Sequence, residues 1–422
     1  MWMTDLGDRG HLMAMGHVFP IGTFGDPFTS HTPFAGSEAA LPHAAAMMNL
    51  ESRDQRWVFR FMPNFEGLTL PDGEVSFGAW GEGYIDSRHP HTYLHEAMIS
   101  FNWWDGPRGS LSVSAGRGFA PFGTDDPMYR PALKYPTNHH LSQVLERWTL
   151  NTAWVSDGGW TVEAGIFDGN EPEHPSDVSN IDNFGNSFSA RVARGFGGDD
   201  ALRPHAPWEV SASFARIREI HDDHDQRTDL YNVSLRHDGM HDFGSLYGLF
   251  EASVSDPAHG DGYFSVLAEG QADLSGSAPF YRVEYATRPE YERRGDVGDD
   301  FFRYDHGQPA QGATRWLINT VGFSQSVTDL PLSVRPFVEL SHHQVWNERG
   351  DVQVQDLFHD DRFWSITVGA RVFLGGGTMR MGTYGVLDDM TAGMRSMDHM
   401  DHMDHPDDHD EQDHDHHDGH HQ

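Results

Sequence analysis

A strict alternation of apolar and polar side chains is the feature that most constrains the fold of this chain. In residues 362–374, Trp364 and Ile366 alternate with Ser365 and Thr367. Side chains of a β-strand point to opposite faces in turn, so the pattern predicts a strand with one apolar and one polar face. Segments of this kind fill the chain beyond residue 54, at 55–66, 74–86, 94–104, 109–118, 143–155, 160–166, 185–195, 208–214, 228–238, 244–256, 261–272, 279–288, 313–326, 333–340 and 362–374.

The number and direction of these segments predict one further strand near the N-terminus. Fifteen segments are counted, whereas single-chain bacterial barrels have an even number of strands. If the last strand runs inward, the 55–66 segment also runs inward and one strand precedes it. Its place is predicted within residues 11–50, where four prolines blur the alternation, and about 16 strands enclose an aqueous lumen rather than a packed core.

Periodicity alone does not separate a soluble β-sandwich from a membrane barrel, but two other features favour a transmembrane antiparallel β-barrel of the outer-membrane type. Tryptophans cluster near segment ends, as in interfacial girdles. Connections also alternate in length, and this order puts every tight turn on the periplasmic side. The tight turns are Asp105–Arg108, Ser156–Gly159, His241–Gly244, Ser275–Ala278 and Thr328–Pro331, and the long connections are 119–142, 168–184, 288–312 and 342–361.

The predicted all-β organisation has three parts: an N-terminal segment 1–50 with the first strand, a barrel 51–375, and a disordered periplasmic tail 376–422. No run of 18 apolar residues is present, so no transmembrane helix is expected. The absence of cysteine excludes disulfides and thiolate metal sites, and the net charge of −35 argues against a nucleic-acid partner. The start lacks signal-peptide regions, so a bacterial outer-membrane location requires that such a peptide has been removed.

The tail from residue 394 to 422 is built almost wholly of Asp, His and Met. Thioethers suit Cu(I), imidazoles suit Cu, Zn and Ni, and interleaved carboxylates concentrate cations. The alternative is a solvated acidic tail without a specific ligand. We predict weak Cu, Zn or Ni binding through Met397, His399, Met400, His402, Met403, His405, His409, His414, His416, His417, His420 and His421.

Two histidine groups in predicted outer loops are further metal candidates. His89, His91 and Glu96 can supply two imidazoles and a carboxylate to a Zn or Cu ion, with His95 close by. The alternative is a proline-stiffened turn whose histidines bond backbone carbonyls. His139 and His140 lie in the long 119–142 connection, where one imidazole can face a pore while the other packs.

A third Met and His cluster spans residues 11–17, and packing of a leading segment through methionine is equally expected there. Charged residues fall on the polar faces of predicted strands, where they either tune ion selectivity or form a structural ladder. They are Glu163, Glu209, Glu251, Glu284, Glu339, Arg236, Arg282, Arg315, Arg335 and Arg371. Since no nucleophile elbow, phosphate loop or His-Glu-x-x-His motif occurs, an enzyme is not expected.

Several motifs resemble known barrels. The run Gly116–Gly123, followed by Glu146-Arg147-Trp148 and by residues 164–169, resembles the phosphate-selective type of porin. A closer resemblance is to an uncharacterised family of bacterial outer-membrane proteins associated with copper and heavy-metal resistance. Its motifs are Asp86 to His91 with Glu96, Tyr129 to Ala132 through His140, and Gly169 to Glu173. The resemblance implies an envelope barrel with a metal connection.

Two functions are therefore expected. One is a porin-like outer-membrane barrel that passes or handles metal ions or small solutes, with the tail as a metal collector. The alternative is a non-transporting envelope protein that binds or buffers metal, or that holds a structural partner. Expected partners are outer-membrane lipid, metal ions or small solutes, and either further copies in a homotrimer or another envelope protein.

Overall fold

The molecule is a closed barrel of antiparallel strands. The computed structural model describes residues 2–25, 36–68, 91–106, 109–124, 126, 130, 139–172, 175–179, 181–197, 206–221, 224–290, 311–327, 332–357, 360–375 and 380–388. The strands are β1 Trp2–Asp5, β2 His11–Gly25, β3 Gly36–Glu51, β4 Trp57–Pro63, β5 Leu94–Gly106, β6 Gly109–Gly118, β7 Arg147–Val155, β8 Trp160–Phe167, β9 Ser187–Phe196, β10 Trp208–His221, β11 His224–His241, β12 Gly244–Pro257, β13 Tyr263–Asp273, β14 Ser277–Glu290, β15 Gly312–Gln325, β16 Ser333–Gly350 and β17 Arg362–Leu374.

The sixteen strands from β2 to β17 form the barrel wall, and each pairs antiparallel with the next along the chain. The ring closes where β17 pairs with β2, from Ser365 opposite Gly25 to Leu374 opposite Gly16. On the N-terminal side of Gly16, residues 11–14 of β2 pair instead with β1, where Trp2 lies opposite Ala14. The predicted all-β barrel of about 16 strands is confirmed, with β1 as an additional short strand.

The assignment of strands in the first quarter of the chain differs from the prediction. Residues 1–50 contribute two wall strands, β2 and β3, rather than one. β4 pairs directly with β5, and the predicted 74–86 segment lies outside the described residues. Because β4 is then the third wall strand, it runs opposite to β17, and the predicted inward direction of the 55–66 segment is wrong.

The wall is apolar outside and polar inside. On β17, Trp364, Ile366 and Val368 are exposed on the outer face, while Ser365 and Thr367 are buried on the inner face. The same alternation runs through β8 and β9. In a barrel with a polar interior, the exposed apolar band is the surface that lipid covers.

β15 departs from the predicted facing. Arg315 pairs with Glu348 and lies over the ring of Tyr285 on the outer side, whereas Trp316 is buried on the inner side. A register shift between Ala313 and Thr314 accompanies this exchange. Trp316 donates from its indole nitrogen to the Thr314 hydroxyl at 2.8 Å, so its polar atom is satisfied inside the barrel.

The connections divide the barrel into two ends. The short-turn end carries the connections that follow β3, β5, β7, β11 and β13, and four of the five predicted tight turns fall there; the fifth, Thr328–Pro331, lies outside the described residues. The opposite, long-loop end carries the connections between β4 and β5, β6 and β7, β8 and β9, β14 and β15, and β16 and β17. The described helices are α1 His139–Ser142, α2 Val354–Leu357 and 3-10 turns at Gly7–Arg9, Glu66–Leu68 and Gly385–Leu387. No helix among the described residues is long and apolar enough to cross a membrane.

Substitution of Val368 by arginine should impair barrel assembly. Val368 is exposed on the outer face near the middle of β17, and an arginine at the bilayer midplane costs about 2–4 kcal/mol. Assembly is measured after refolding into lipid, as the fraction of protein whose migration in gel electrophoresis changes when the sample is heated. Val368→Ala is the matched control, since it removes methyl groups without adding charge. Equal refolding of both variants would contradict a lipid-facing position.

Candidate functional site

The inner wall carries buried ion pairs that cross from strand to strand. Arg191 on β9 lies between Glu163 on β8 and Glu209 on β10, with a nitrogen-to-oxygen distance of 2.8 Å to each. On the other side of the barrel, Arg282 pairs with Glu269 at 2.8 Å. Each of these charged groups has an opposite partner, which offsets the cost of removing it from water.

The described part of the connection between β6 and β7, residues 119–124, 126, 130 and 139–146, lies inside the barrel; we call it the inward loop. Its two arms pair where the Ala120 amide donates to the Val144 carbonyl at 2.8 Å. The Gly123 amide donates to the Ser213 hydroxyl at 2.9 Å, and the guanidinium of Arg191 donates to the Gly123 carbonyl at 2.8 Å. These bonds fix the described part of the loop against β9 and β10.

The inward loop also reaches the far wall through Arg130. This side chain is buried and lies 3.3 Å from Glu251 on β12. Its carbonyl accepts a hydrogen bond of 2.6 Å from Arg371 on β17. Thr124 donates to the same carboxylate, Glu251, at 2.6 Å. The loop therefore crosses the lumen instead of lining one side of it.

Residues 380–388, which follow the last strand, also lie in the lumen; we call them the lumenal C-terminal segment. The carboxylate of Asp388 accepts hydrogen bonds from Arg60 at 2.7 Å and from Asn49 at 3.3 Å. Arg60 also donates to the Arg380 carbonyl at 3.3 Å. All three side chains of this contact are buried. The sequence prediction had placed these residues in the disordered tail, and their buried contacts differ from that assignment.

The lumenal C-terminal segment covers an apolar patch of the inner wall. Met15 and Met47 are cross-strand neighbours on β2 and β3, and with Met62 and Met98 they cluster with Met381 of the segment. Covering a large apolar side chain contributes about 1.5–3 kcal/mol. Methionines that face an aqueous lumen would be exposed without this cover, so the patch explains why the segment lies here.

Tyr384 ties the lumenal C-terminal segment to the inward loop. Its hydroxyl accepts a hydrogen bond of 2.9 Å from the Phe119 amide. Burial, together with the nearby charge of Glu96, raises the pKa of Tyr384 well above its ordinary value, so the hydroxyl keeps its proton. A side chain at Gly118 would begin 2.3 Å from the Tyr384 hydroxyl oxygen, so only glycine leaves room for the ring.

Three potential metal ligands meet at the long-loop end. His91 precedes β5, His95 lies at its start, and Glu146 ends the inward loop; all three are fully buried. One carboxylate oxygen of Glu146 lies 2.7 Å from Nδ1 of His95 and 3.2 Å from Nδ1 of His91. One ligand atom from each residue can be chosen so that all three lie within 4.8 Å of one another. The group has the composition of a three-ligand metal site.

Neighbouring groups hold Glu146 ionised. Burial by itself raises the pKa of Glu146, but hydrogen bonds and charge from His91 and His95 outweigh burial and lower the pKa well below its usual range. The Thr92 amide donates to both carboxylate oxygens, at 3.2 and 3.0 Å. Glu146 itself adopts a positive φ of 56°, an uncommon backbone conformation that these bonds stabilise.

The predicted loop site is only partly reproduced. His91 is in the cluster, but Glu96 points elsewhere, with Oε2 at 3.4 Å from Arg60. His95 and Glu96 are both buried, but His95 contacts Glu146 whereas Glu96 contacts Arg60 on β4, so the two neighbours do not share one site. His89, the side chains of His139 and His140, and every predicted ligand of the tail lie outside the described residues, so their metal binding stays a prediction.

The N-terminal Met and His cluster forms part of the inner wall. Met13, Met15 and His17 are buried on the inner face of β2. Nδ1 of His17 lies 3.4 Å from Nε2 of His43 on β3, and its ring packs edge-on against Phe373. This environment of sulfur and aromatic rings fits the packing interpretation of the cluster.

Sequence reasoning did not find Glu146 or Asp388. Glu146 lies 55 residues from His91 along the chain, and nothing in the spacing of the two predicts contact. A signal was nevertheless present for Asp388, because the apolar run Tyr384-Gly385-Val386-Leu387 is atypical of a solvated tail.

Comparison with known proteins gives only structural likenesses. No protein-family model and no curated sequence matches the chain. An anion-selective porin from Comamonas acidovorans aligns over 86% of this chain and 99% of its own, at 10% identity and a TM-score of 0.47. The outer membrane channel DcaP of Acinetobacter baumannii covers 86% and 97% (9% identity, TM-score 0.48), and OprB of Pseudomonas putida covers 86% and 94% (12% identity, TM-score 0.45). At these values neither substrate nor role transfers to this chain.

Substitution of Asp388 by alanine should release the lumenal C-terminal segment. Removing one partner of a buried ion pair costs about 3–5 kcal/mol, and the carboxylate then left beside Arg60 is Glu96, at the longer distance of 3.4 Å. Arg380, buried in the native protein, should then be cleaved by trypsin, as mass spectrometry would show. Asp54→Ala, which alters an exposed turn, is the control. Unchanged protection of Arg380 in the Asp388 variant would contradict this account of docking.

Proposed function

We propose that the protein is a porin-like channel of the bacterial outer membrane that passes small ions through a narrow, charge-lined lumen. The observation that carries this proposal is the inward loop, which crosses a closed barrel and contacts buried Arg191 on β9 and buried Arg371 on β17, eight strands away. Fixed charges along a constricted path discriminate between ions by sign and size. The apolar outer face matches a membrane location, where outer-membrane lipid is the surrounding partner.

Two elements narrow the path together. The inward loop approaches from the long-loop end, and the lumenal C-terminal segment follows β17 from the short-turn end. A gap between them is lined by Phe122, Glu163, Arg191 and Thr383. With both elements in place, the channel should admit small hydrated ions and exclude larger solutes. The short-turn end would face the periplasm, as in outer-membrane barrels generally.

We further propose that metal ions are among the species handled, with the Asp-His-Met tail as a weak collector of Cu, Zn or Ni. Asp388, the last described residue before the tail, lies in the lumen. Its thioethers and imidazoles are ligands for these metals. We also propose that the barrel assembles as a homotrimer and that copper is among the metals it handles.

The alternative function is a non-transporting envelope protein that binds metal or holds a partner. The buried contacts of Asp388 favour this alternative, because a lumenal C-terminal segment that stays in place permanently would keep the lumen closed. Conductance separates the two functions, because a binding protein with a closed lumen passes no current.

Deleting residues 380–422 should raise single-channel conductance in planar lipid bilayers by about twofold or more, because current grows with the open cross-section of the path. Deleting only residues 389–422 is the matched control and should leave conductance near that of the full chain. The absence of current from the full chain and from both truncations would overturn the channel proposal and support the alternative.

Deleting residues 389–422 should remove most of the weak Cu, Ni or Zn binding and leave the barrel folded. The tail sequence offers no apolar face for docking, so its loss removes ligands only. Titration calorimetry on the full and shortened proteins measures this difference. Lower pH should weaken the same binding, because imidazole must be neutral to coordinate metal. Equal heats for the two proteins would rule out the tail as a collector.

A further inference from the structure

The convergence of His91, His95 and Glu146 has the dimensions of a metal site. Ligand atoms about 2.0–2.2 Å from a tetrahedral zinc lie roughly 3.4 Å from one another. The carboxylate oxygen of Glu146 is 3.2 Å from Nδ1 of His91 and 2.7 Å from Nδ1 of His95. To admit an ion, the second distance must lengthen by a small rotation of the His95 ring, and one ligand atom of each residue already lies within 4.8 Å of the other two.

We infer that His91, His95 and Glu146 bind one divalent transition-metal ion at the long-loop end of the lumen. The site deepens the proposed function by naming the class of cation. It rests on that function in one respect, because the ion would reach the site through the channel. Two imidazoles and one carboxylate favour Zn²⁺, Co²⁺, Ni²⁺ or Cu²⁺ over Ca²⁺ and Mg²⁺, which prefer oxygen ligands.

A second carboxylate lies behind the cluster and supports this assignment. Oε2 of Glu66 is 3.8 Å from Nε2 of His91, on the side of the ring opposite Glu146. Histidines that coordinate metal through one nitrogen commonly pair the other with a carboxylate, which sets the tautomer and orients the ring. With Nε2 of His91 directed toward Glu66, Nδ1 is available to the ion.

A positive charge also lies beside the cluster: Nη2 of Arg117 is 4.0 Å from the other oxygen of Glu146. Arg117 is held away from the imidazoles by hydrogen bonds to the Leu94 carbonyl and to the Thr92 hydroxyl, at 3.0 and 3.1 Å. It therefore shares the carboxylate with the ion site instead of occupying it. The competing account is a metal-free ion-pair network that fastens the inward loop to β5.

A bound ion would join the start of β5 to the end of the inward loop. His91 and His95 come from one side of this junction, and Glu146 comes from the other. The constriction is thus anchored at Glu146, where the loop returns to the wall. Occupancy of the site would hold this anchor more firmly than the hydrogen bonds alone.

Titration of the purified full-length chain with Co²⁺, followed by competition with Zn²⁺, tests the site by visible absorption. We expect His95→Gln and Glu146→Gln to lose one Co²⁺ ion of the tightest class, with affinity for that ion lowered at least tenfold. His343→Gln is the matched control, because His343 is also buried on the inner wall but lies on β16, outside the cluster, with Nε2 3.0 Å from the Ser365 hydroxyl. Undiminished tight binding in both cluster variants would overturn the inference.

A structure of the unaltered chain with Zn²⁺ gives a test that does not depend on the folding of any variant. An anomalous scattering peak should lie about 2.0–2.2 Å from nitrogen atoms of His91 and His95 and from an oxygen of Glu146. Zinc peaks confined to the tail would overturn the site. Binding and conductance are measured separately. If the protein conducts but binds no zinc here, the metal site is wrong and the channel proposal stands. If it binds zinc here but does not conduct, the channel proposal is wrong and the metal site stands.

Discussion

The pairing of β17 with β2 is the interaction on which the rest of the structure depends. It joins the two ends of a sixteen-strand sheet, so that Val368 lies opposite Gly22 and no free strand edge remains along that seam. Within lipid an unpaired backbone amide or carbonyl costs several kcal/mol, and only a closed sheet avoids this. Closure also separates two environments, which lets one chain keep apolar side chains outside and buried charges inside.

Inside the ring, charged side chains of the polar wall bond to one another and to the inward loop. Arg191 serves two glutamates and the inward loop at once, and Glu251 receives both Thr124 and Arg130. Buried networks of this kind are stable only when nearly every member has a partner. In the proposed channel, the charges that would select ions are therefore the same charges that hold the inward loop, and a change to either property should alter the other.

Alternation predicted the strands that have a clean polar inner face, and it was weakest where the inner face is itself apolar. β2 and β3 carry Met15 and Met47 inside because the lumenal C-terminal segment covers them, and Pro20 interrupts the pairing register. The alternation therefore predicted one strand in this region, where the structure has two. For the metal cluster, the sequence identified His91, but its carboxylate partner is set by the return of a long loop, which no local pattern encodes.

The contact between Asp388 and Arg60 joins residues 328 positions apart in the chain, and this separation bears on the order of folding. Contacts between distant parts of a chain form late, since loop closure must precede them. β4, which carries Arg60, and the end of β17 become neighbours only after the ring has closed. Docking of the lumenal C-terminal segment therefore requires a closed ring, and its protection from protease should mark molecules in which the barrel is complete.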